Sequence, residues 1–318
     1  MKLVIRLDVS VEIGTGHWRR MCNLLEFIPG AEPVFVICTD DCSNHLFSGS
    51  KVYFVPDSDE IQTLAEICKT EQPALLLLDL LTYAPGYVEQ LKRAVRRSIV
   101  SFHEFQDWTE FSDLVINCNT FTGFERAETT KVLAGPRYII LNRDILNIRR
   151  GTDPSGVLVT FGGSDPSRFA EQFIARVVPQ CAEVPFILHT GPFFPKPRDW
   201  NVLTRCKNLR VTSPVDSVFD LMGSCRMAVT AGGNSMYEFI YLGFNPLVVA
   251  HNARQAEFAR NAAKLGLCQF YGAGSNVEWE KLAAAVQHQY PRPPMMPPSF
   301  IDGLGAKRIV DRLAPVAP

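Results

Sequence analysis

What the 318-residue sequence lacks excludes several classes of protein. Its 32 basic and 33 acidic residues leave a net charge of −1, and it has no long basic run. We therefore expect neither nucleic-acid binding nor charge-driven binding to a membrane surface. No apolar run approaches the roughly 20 residues of a membrane-spanning helix, and no charged segment followed by an apolar leader precedes the first strand-like segment. A soluble, cytoplasmic protein without stable membrane insertion is predicted.

Cysteine pairs with the spacing of metal ligands are also missing. The chain has nine cysteines, an odd number, and none of them forms a CxxC pair. Cys38 and Cys42 have a spacing that fits no common zinc pattern, and no second pair accompanies them. We therefore interpret the cysteines as buried thiols.

Apolar residues make up 47% of the chain and alternate between strand-like and helix-like patterns. In the first half, strands are predicted at Leu3–Leu7, Val34–Cys38, Val52–Val55, Ala74–Leu78, Ser98–Phe102 and Leu114–Cys118, with helices at His17–Phe27, Glu60–Lys69 and Tyr87–Arg97. The uninterrupted apolar run Ala74–Leu78 is typical of a strand covered on both faces, as in a parallel sheet between helix layers. The alternation predicts a doubly wound α/β sheet.

The second half repeats this alternation after a polar, glycine- and proline-bearing link at Arg149–Gly156. The length also exceeds what one hydrophobic core comfortably holds. We therefore predict an N-terminal domain at 1–150 and a second domain at 151–290. Residues 291–318 are predicted to be a proline-rich tether and a terminal helix able to cross back to the first domain.

The motif around which the first domain is organised is a strand followed by Gly14-x-Gly16-His17. A histidine at a helix start beside a glycine turn is well placed to act as a base, and Arg20 adds a cation suited to a phosphate. Asp8, at the end of the preceding strand, is expected either to orient His17 or to cap a turn. Taken alone, a glycine turn also fits an ordinary connection between a strand and a helix.

Two glycine turns in the second domain are candidates for holding a nucleotide. Gly162-Gly163-Ser164 precedes a helix whose N-terminus suits a pyrophosphate, although a helix cap without ligand fits the same residues. The second turn continues into a helix carrying Glu238, a carboxylate able to accept two hydrogen bonds from a ribose diol. The further residues expected to contact nucleotide or substrate are Gly14, Gly16, Gly232, Gly233, Asn234, Ser235, Asn252 and Gln255.

In combination, these motifs resemble those of a known family. The segments Arg6-x-Asp8, Gly14 to Arg20, Gly162 to Asp165, Gly232 to Glu238 and Ile301 to Ile309 are similar to those of the pseudaminic-acid-pathway UDP-sugar hydrolases. They are also similar to those of the SpsG-like spore-coat polysaccharide proteins and, more distantly, of the glycosyltransferase that makes lipid II. Departures fall at His103-Glu104, where the family often has two aspartates, and at Asn252 to Gln255, where it usually has Asn-Gln.

The resemblance implies a GT-B fold, with two Rossmann-like domains facing a cleft, and an enzyme of polysaccharide biosynthesis that needs no metal or other cofactor. It further implies that His17 activates water against the anomeric carbon of a deoxy-acetamido UDP-sugar, that Gly163 and Ser164 approach the diphosphate, and that Glu238 binds the ribose. A glycosyltransferase with an alcohol acceptor and a non-catalytic nucleotide-sugar binding protein are the alternatives. The sequence leaves the sugar, the roles of His103 and Glu104 and the oligomeric state open.

Overall fold

The chain divides into two compact units. Unit 1 comprises Met1–Asn142 and Gly303–Pro318, and unit 2 comprises Arg143–Asp302. The structure, a computed structural model, describes residues 1–10, 13–38, 47, 49–55, 59–104, 110–119, 131–195, 206–212, 218–292, 301–314 and 316. The predictions about Cys42 and about the tether from residue 293 onward concern residues outside these ranges.

Unit 1 contains a parallel sheet of seven strands within the described residues, in the order β3-β2-β1-β4-β5-β6-β7. Its strands are β1 (Lys2–Leu7), β2 (Glu32–Ile37), β3 (Lys51–Phe54), β4 (Leu75–Asp79), β5 (Ser98–Phe102), β6 (Leu114–Asn117) and β7 (Val132–Ala134). Its helices are α1 (Gly16–Leu25), α2 (Glu60–Glu71) and α3 (Tyr87–Val95), and a one-turn helix follows β7 at Pro136–Tyr138. Every residue of β4 is buried, as expected for a central strand covered on both faces.

Unit 2 contains a parallel sheet of six strands within the described residues, in the order β10-β9-β8-β11-β12-β13. Its strands are β8 (Val157–Thr160), β9 (Phe186–His189), β10 (Leu209–Thr212), β11 (Met227–Ala231), β12 (Leu247–Ala250) and β13 (Gln269–Ala273). Its helices are α4 (Phe169–Arg176), α5 (Val218–Ser224), α6 (Asn234–Tyr241), α7 (Ala253–Lys264) and α8 (Trp279–Gln289).

The core of unit 2 is built on aromatic side chains from both helices and strands. Phe169 and Phe173, one turn apart on α4, pack against Trp279 of α8 with ring centroids 5.7 and 6.5 Å apart. Phe173 also meets Phe186 of β9 edge to face. Large rings bury much apolar surface each, so this cluster holds α4 and α8 against the same region of the sheet.

Three elements appear in the structure that the sequence analysis did not predict. The strand β7 has three residues and β13 contains a glycine and only half-buried side chains, so neither shows an apolar run or a clear alternation. The helix α8 carries a readable signal, because its buried Trp279, Leu282, Ala283 and Val286 follow the spacing of one helical face. The helix α4 ends at Arg176, and Pro179 lies in the separate turn that follows.

The last helix, α9 (Gly305–Leu313), packs on unit 1 against α1 and the turn at Pro136–Tyr138. It approaches so closely that a Cβ on Gly305 would overlap the carbonyl of Ile139. Arg308 adds a hydrogen bond of 2.9 Å to the carbonyl oxygen of Arg137. The C-terminal segment is therefore part of the core of unit 1, although unit 2 separates it from that unit in sequence.

Candidate functional site

Each sheet has a point at which the order of its strands reverses. In unit 1 this point lies between β1 and β4, and in unit 2 it lies between β8 and β11. In open α/β sheets, ligands bind outside the carboxyl ends of the strands at such a point. The residues that follow β1, β4, β8 and β11 are therefore the candidates for a functional site.

At the first of these points a histidine meets a buried carboxylate. The turn after β1 is closed by a hydrogen bond from Gly14 N to Ser10 O of 2.8 Å, with Gly14 at φ +83°, and α1 begins two residues later. This places His17 in the first turn of α1, where it is only 4% exposed. Its Nδ1 lies 2.7 Å from Oδ1 of Asp79, the fully buried last residue of β4.

Arg20, one turn further along α1, binds the same carboxylate in a bidentate manner. Its Nε donates to Oδ2 of Asp79 at 2.9 Å, and a terminal nitrogen donates to Oδ1. Burial acts to raise the pKa of Asp79, but the Arg20 and His17 side chains outweigh it and lower the pKa to about 2. Burial likewise acts to lower the pKa of Arg20, and the charge of Asp79 outweighs it and raises that pKa well above the ordinary value. Asp79 and Arg20 are thus a buried ion pair.

This arrangement selects one tautomer of His17. An ionised carboxylate only accepts hydrogen bonds, so we assign the proton of the neutral imidazole to Nδ1, which faces Asp79. Nε2 then carries the lone pair. Asp79 thus orients the ring and fixes its tautomer, and a lone pair on Nε2 can accept a proton.

Asp8, which the sequence suggested as a partner of His17, makes different contacts. Its Oδ1 accepts a hydrogen bond of 2.7 Å from Arg6, and its Oδ2 accepts one of 2.8 Å from the backbone N–H of Leu81. The carboxylate on His17 is that of Asp79, which sequence reasoning missed. A signal for it exists, because Asp79 is the single charged residue that ends the apolar run of β4.

The two residues at the end of β5 have separate environments. His103 is 2% exposed, stacks on Tyr83 with ring centroids 4.3 Å apart, and lies 3.0 Å from the hydroxyl of Ser101. Glu104 is instead close to the group formed by His17, Arg20 and Asp79, because its Oε1 lies 3.7 Å from a terminal nitrogen of Arg20. Of this pair, Glu104 is therefore the residue connected to the candidate catalytic group.

In unit 2, the loop after β8 is organised by an internal carboxyl group. Asp165 is 1% exposed and accepts hydrogen bonds from the backbone N–H groups of Phe169 and Ala170, at 2.8 and 2.9 Å. Burial raises the pKa of this carboxyl to about 7, while the two amide donors act in the opposite direction. In either protonation state its oxygens occupy the first N–H groups of α4. The N-terminus of α4, expected to receive a pyrophosphate beside Gly162 to Ser164, is therefore already engaged by the protein itself.

The loop after β11 leaves its helix start without a side-chain cap. Gly233 is the N-cap residue of α6, and within the described residues no side chain caps it and no acidic residue lies in its first turn. Gly233, Asn234 and Ser235 are half-buried rather than sealed in the core. Backbone N–H groups at the start of a helix favour an anion, and at α6 no side-chain cap described by the structure competes for them.

Gly232 and the start of α7 are in close contact. A Cβ on Gly232 would lie 2.7 Å from the carbonyl oxygen of Gln255, so only glycine fits. Asn252 caps α7 through a hydrogen bond of 3.0 Å from the N–H of Gln255 to its side-chain oxygen. The side chain of Gln255 in turn accepts from the N–H of His251 at 3.1 Å. Asn252 and Gln255 thus shape the loop beside Gly232, and their contact with substrate stays a prediction.

Two further side chains of unit 2 lie near the same strand ends. Glu238 lies in the second turn of α6 and is 9% exposed. His251, after β12, donates from Nε2 to the carbonyl oxygen of Phe161 at 2.9 Å and stacks on Phe169 with ring centroids 4.6 Å apart. Burial lowers the pKa of His251 and thereby favours its neutral form. His251 therefore ties the end of β12 to the end of β8.

The structure brings the predicted site residues together in two groups. His17 and Arg20 meet around Asp79 in unit 1, and the two glycine loops follow neighbouring strands in unit 2. Across the described ranges, no three His, Cys, Asp or Glu side chains converge as metal ligands would. In the same part of the chain, no helix combines the length and apolar character needed to cross a membrane.

Comparison with known proteins identifies two relatives in sequence. The chain is 26% identical over 302 residues to the spore coat polysaccharide biosynthesis protein SpsG of Bacillus subtilis, covering 89% of this chain and 87% of that protein. It is 22% identical over 277 residues to an uncharacterized protein of Methanocaldococcus jannaschii, covering 81% of this chain but only 57% of that longer protein. No family model matches the sequence.

Solved structures with the same architecture cover nearly the whole chain. MurG of Acinetobacter baumannii superposes with a TM-score of 0.68 at 11% identity, covering 99% of this chain and all of that one. The UDP-GlcNAc 2-epimerase of Neisseria meningitidis, solved bound to UDP-GlcNAc, superposes with a TM-score of 0.59 at 12% identity over 99% of this chain. These matches and the two parallel α/β units define the chain as a protein of GT-B fold, which confirms the fold class expected from the sequence.

Proposed function

We propose that this protein hydrolyses a UDP-activated deoxy-acetamido sugar, with His17 as the general base. The observation that carries the proposal is the buried contact of 2.7 Å between Nδ1 of His17 and Asp79 at the strand-order reversal of unit 1. A histidine that only packs in the core needs no ionised carboxylate on one ring nitrogen, whereas a general base needs its tautomer and orientation fixed.

In the proposed reaction, Nε2 of His17 takes a proton from water as the water oxygen attacks the anomeric carbon. The bond between that carbon and the UDP oxygen breaks, and UDP leaves with the electron pair, so the configuration inverts. The imidazolium formed is stabilised by Asp79 and then returns its proton to solvent. General bases contribute roughly a hundredfold to ten-thousandfold to such rates, so the remainder must come from positioning of the substrate.

The nucleotide is assigned to unit 2. The start of α6, which carries no side-chain cap, is proposed to receive the diphosphate, because Asp165 already occupies the start of α4. Gly163 and Ser164 then border the diphosphate from the neighbouring loop, and Glu238 accepts the ribose hydroxyls. Support for UDP comes from the epimerase of the same fold, which was solved with UDP-GlcNAc bound. The similarity to SpsG supports a role in polysaccharide biosynthesis.

Transfer to an alcohol acceptor is the second candidate function. It is favoured by neighbours of the same fold that are described as glycotransferases or rhamnosyltransferases, such as the rhamnosyltransferase of spinosyn synthesis. The same base and the same leaving group would serve both reactions. Water and an alcohol both attack through a hydroxyl oxygen, so the acceptor that the protein binds decides between hydrolysis and transfer.

The test is to incubate the purified protein with a panel of UDP-sugars and water as the only acceptor, and to identify the products by mass spectrometry. We expect UDP and free sugar from at least one deoxy-acetamido substrate, and loss of nearly all turnover in His17→Ala. UDP affinity, measured by calorimetry, should be unchanged in that variant. UDP release only after an alcohol is added would instead establish a transferase. Absence of turnover under both conditions, with UDP still bound, would indicate a binding protein.

A further inference from the structure

Arg20 contacts both the proposed base and two carboxylates. Its terminal nitrogen is 3.2 Å from Nδ1 of His17, and it forms a bidentate pair with Asp79. On its other side it faces Glu104 at 3.7 Å. The side chains of His17, Arg20 and Asp79 are almost completely buried, so solvent screens their charges from one another only weakly.

The net charge of this cluster depends on the protonation state of His17. With the imidazole neutral, one guanidinium and two carboxylates leave one negative charge, and with the imidazolium formed the cluster is neutral. The two carboxylates therefore favour the protonated base, whereas Arg20 opposes it.

We propose that Arg20 and Glu104 are positioning residues that set the proton affinity of His17 in opposite directions. Arg20 lowers it by neutralising Asp79, so that His17 is available as a base. Glu104 raises it by partly neutralising Arg20, so that His17 still accepts a proton during the reaction. The description of His17 as the base rests on the proposed function, whereas the charge coupling follows from the contacts themselves.

The other titratable groups nearby do not reverse these directions. From β6, the buried Cys118 thiol faces the cluster, and burial raises its pKa above the ordinary value, which keeps it neutral. From β1, Asp8 is held on Arg6 and on a backbone N–H. After β5, the buried His103 is hydrogen-bonded to Ser101 and stacks on Tyr83. Arg20, Asp79 and Glu104 are therefore the groups whose charge is coupled to His17 through the contacts described above.

The experiment is an NMR pH titration of the His17 ring in protein with labelled histidine, the signal being assigned by its loss in His17→Gln. Arg20→Gln should move the titration midpoint upward by about 1 to 2 pH units, and Glu104→Gln should move it downward by about half a unit to one unit. Arg19→Gln removes an equal charge from the exposed side of α1 and should leave the midpoint unchanged.

The acid limb of kcat/KM, measured with any UDP-sugar that the protein hydrolyses, should follow the same two directions. Midpoints that stay fixed, or that move in the same direction in both variants, would overturn the proposal. If Arg20→Gln does not fold, Glu104→Gln together with Arg20→Lys decides, because the lysine keeps the charge and should hold the midpoint near the wild-type value. Shifted midpoints in a protein without turnover would reject the proposed function and retain the charge coupling.

Discussion

Replacing Asp79 with Asn tests the buried ion pair that underlies the candidate active site. Asn has nearly the shape of a protonated aspartate, but it carries no charge to compensate the Arg20 guanidinium. Asp79 is fully buried and its pKa is lowered to about 2 from an ordinary value of 3.8. Since one unit of pKa corresponds to about 1.4 kcal/mol, the charged form stabilises the native state by roughly 2 kcal/mol.

The sign of the pH dependence follows from the direction of that shift. A carboxyl group whose pKa is lower in the folded than in the unfolded state contributes stability above its unfolded pKa and loses it as the pH falls toward the folded pKa. The wild-type protein should therefore exceed Asp79→Asn in stability by roughly 2 kcal/mol at pH 7, and the gap should narrow as the pH falls from about 4 toward 2. For a unit of this size the gap at pH 7 corresponds to about 4 to 8 °C in Tm.

The assay is thermal unfolding of both proteins at a series of pH values, followed by a signal specific to unit 1, such as hydrogen exchange in β1 and β4. Asp311→Asn, which changes an exposed aspartate on α9 of the same unit, is the matched control and should show no gap. A gap that is equally large at pH 7 and pH 3 would mean that Asp79 acts through shape rather than charge. No gap at pH 7 would refute the ion pair.

Three further substitutions test other parts of the fold. Gly232→Ala pushes a Cβ to 2.7 Å from a backbone carbonyl at the start of α7, so it should cost about 1 to 3 kcal/mol of stability and lower the Tm of unit 2. Gly233→Ala is the control, because its Cβ meets only a side-chain atom at 3.9 Å. An equal loss of stability in Gly233→Ala would contradict the steric explanation. Gly305→Ala should raise hydrogen exchange throughout α9, whereas Lys307→Ala on its exposed face should not. Trp279→Ala, at a site 1% exposed, should cost roughly 3 to 5 kcal/mol in denaturant unfolding of unit 2, and a loss below about 1 kcal/mol would refute its role in the core.

The sequence was most informative where periodicity repeats over many residues. The predicted strand Ser98–Phe102 has the bounds of β5, and Ala74–Leu78 differs from β4 by one residue at each end. Buried strands leave long apolar runs in the sequence, and helices with one buried face leave apolar residues at helical spacing. Both patterns can be recognised within a short segment of the chain. The short strands β7 and β13 have no such pattern, because their neighbours in the sheet rather than their own residues define them.

The two candidate sites were predictable to different degrees. His17 and Arg20 were identified from the glycine turn, but the carboxylate that joins them lies 62 positions from His17 and 59 from Arg20 in sequence, at the end of a different strand. In unit 2 both glycine loops were identified, yet the sequence favoured the first of them for the pyrophosphate. The structure instead places Asp165 on the start of α4, because the bend of the loop turns its carboxyl group toward those N–H groups.

By itself, the sequence determined the class of fold and the position of the glycine turns, because strand burial and helix starts leave a record within a few residues. Only the tertiary structure decided that Asp79 rather than Asp8 is paired with His17, and that the last helix belongs to unit 1. Both are pairings between distant segments. Contacts of this kind depend on strand order, and strand order is set by the packing of the whole sheet rather than by any single segment.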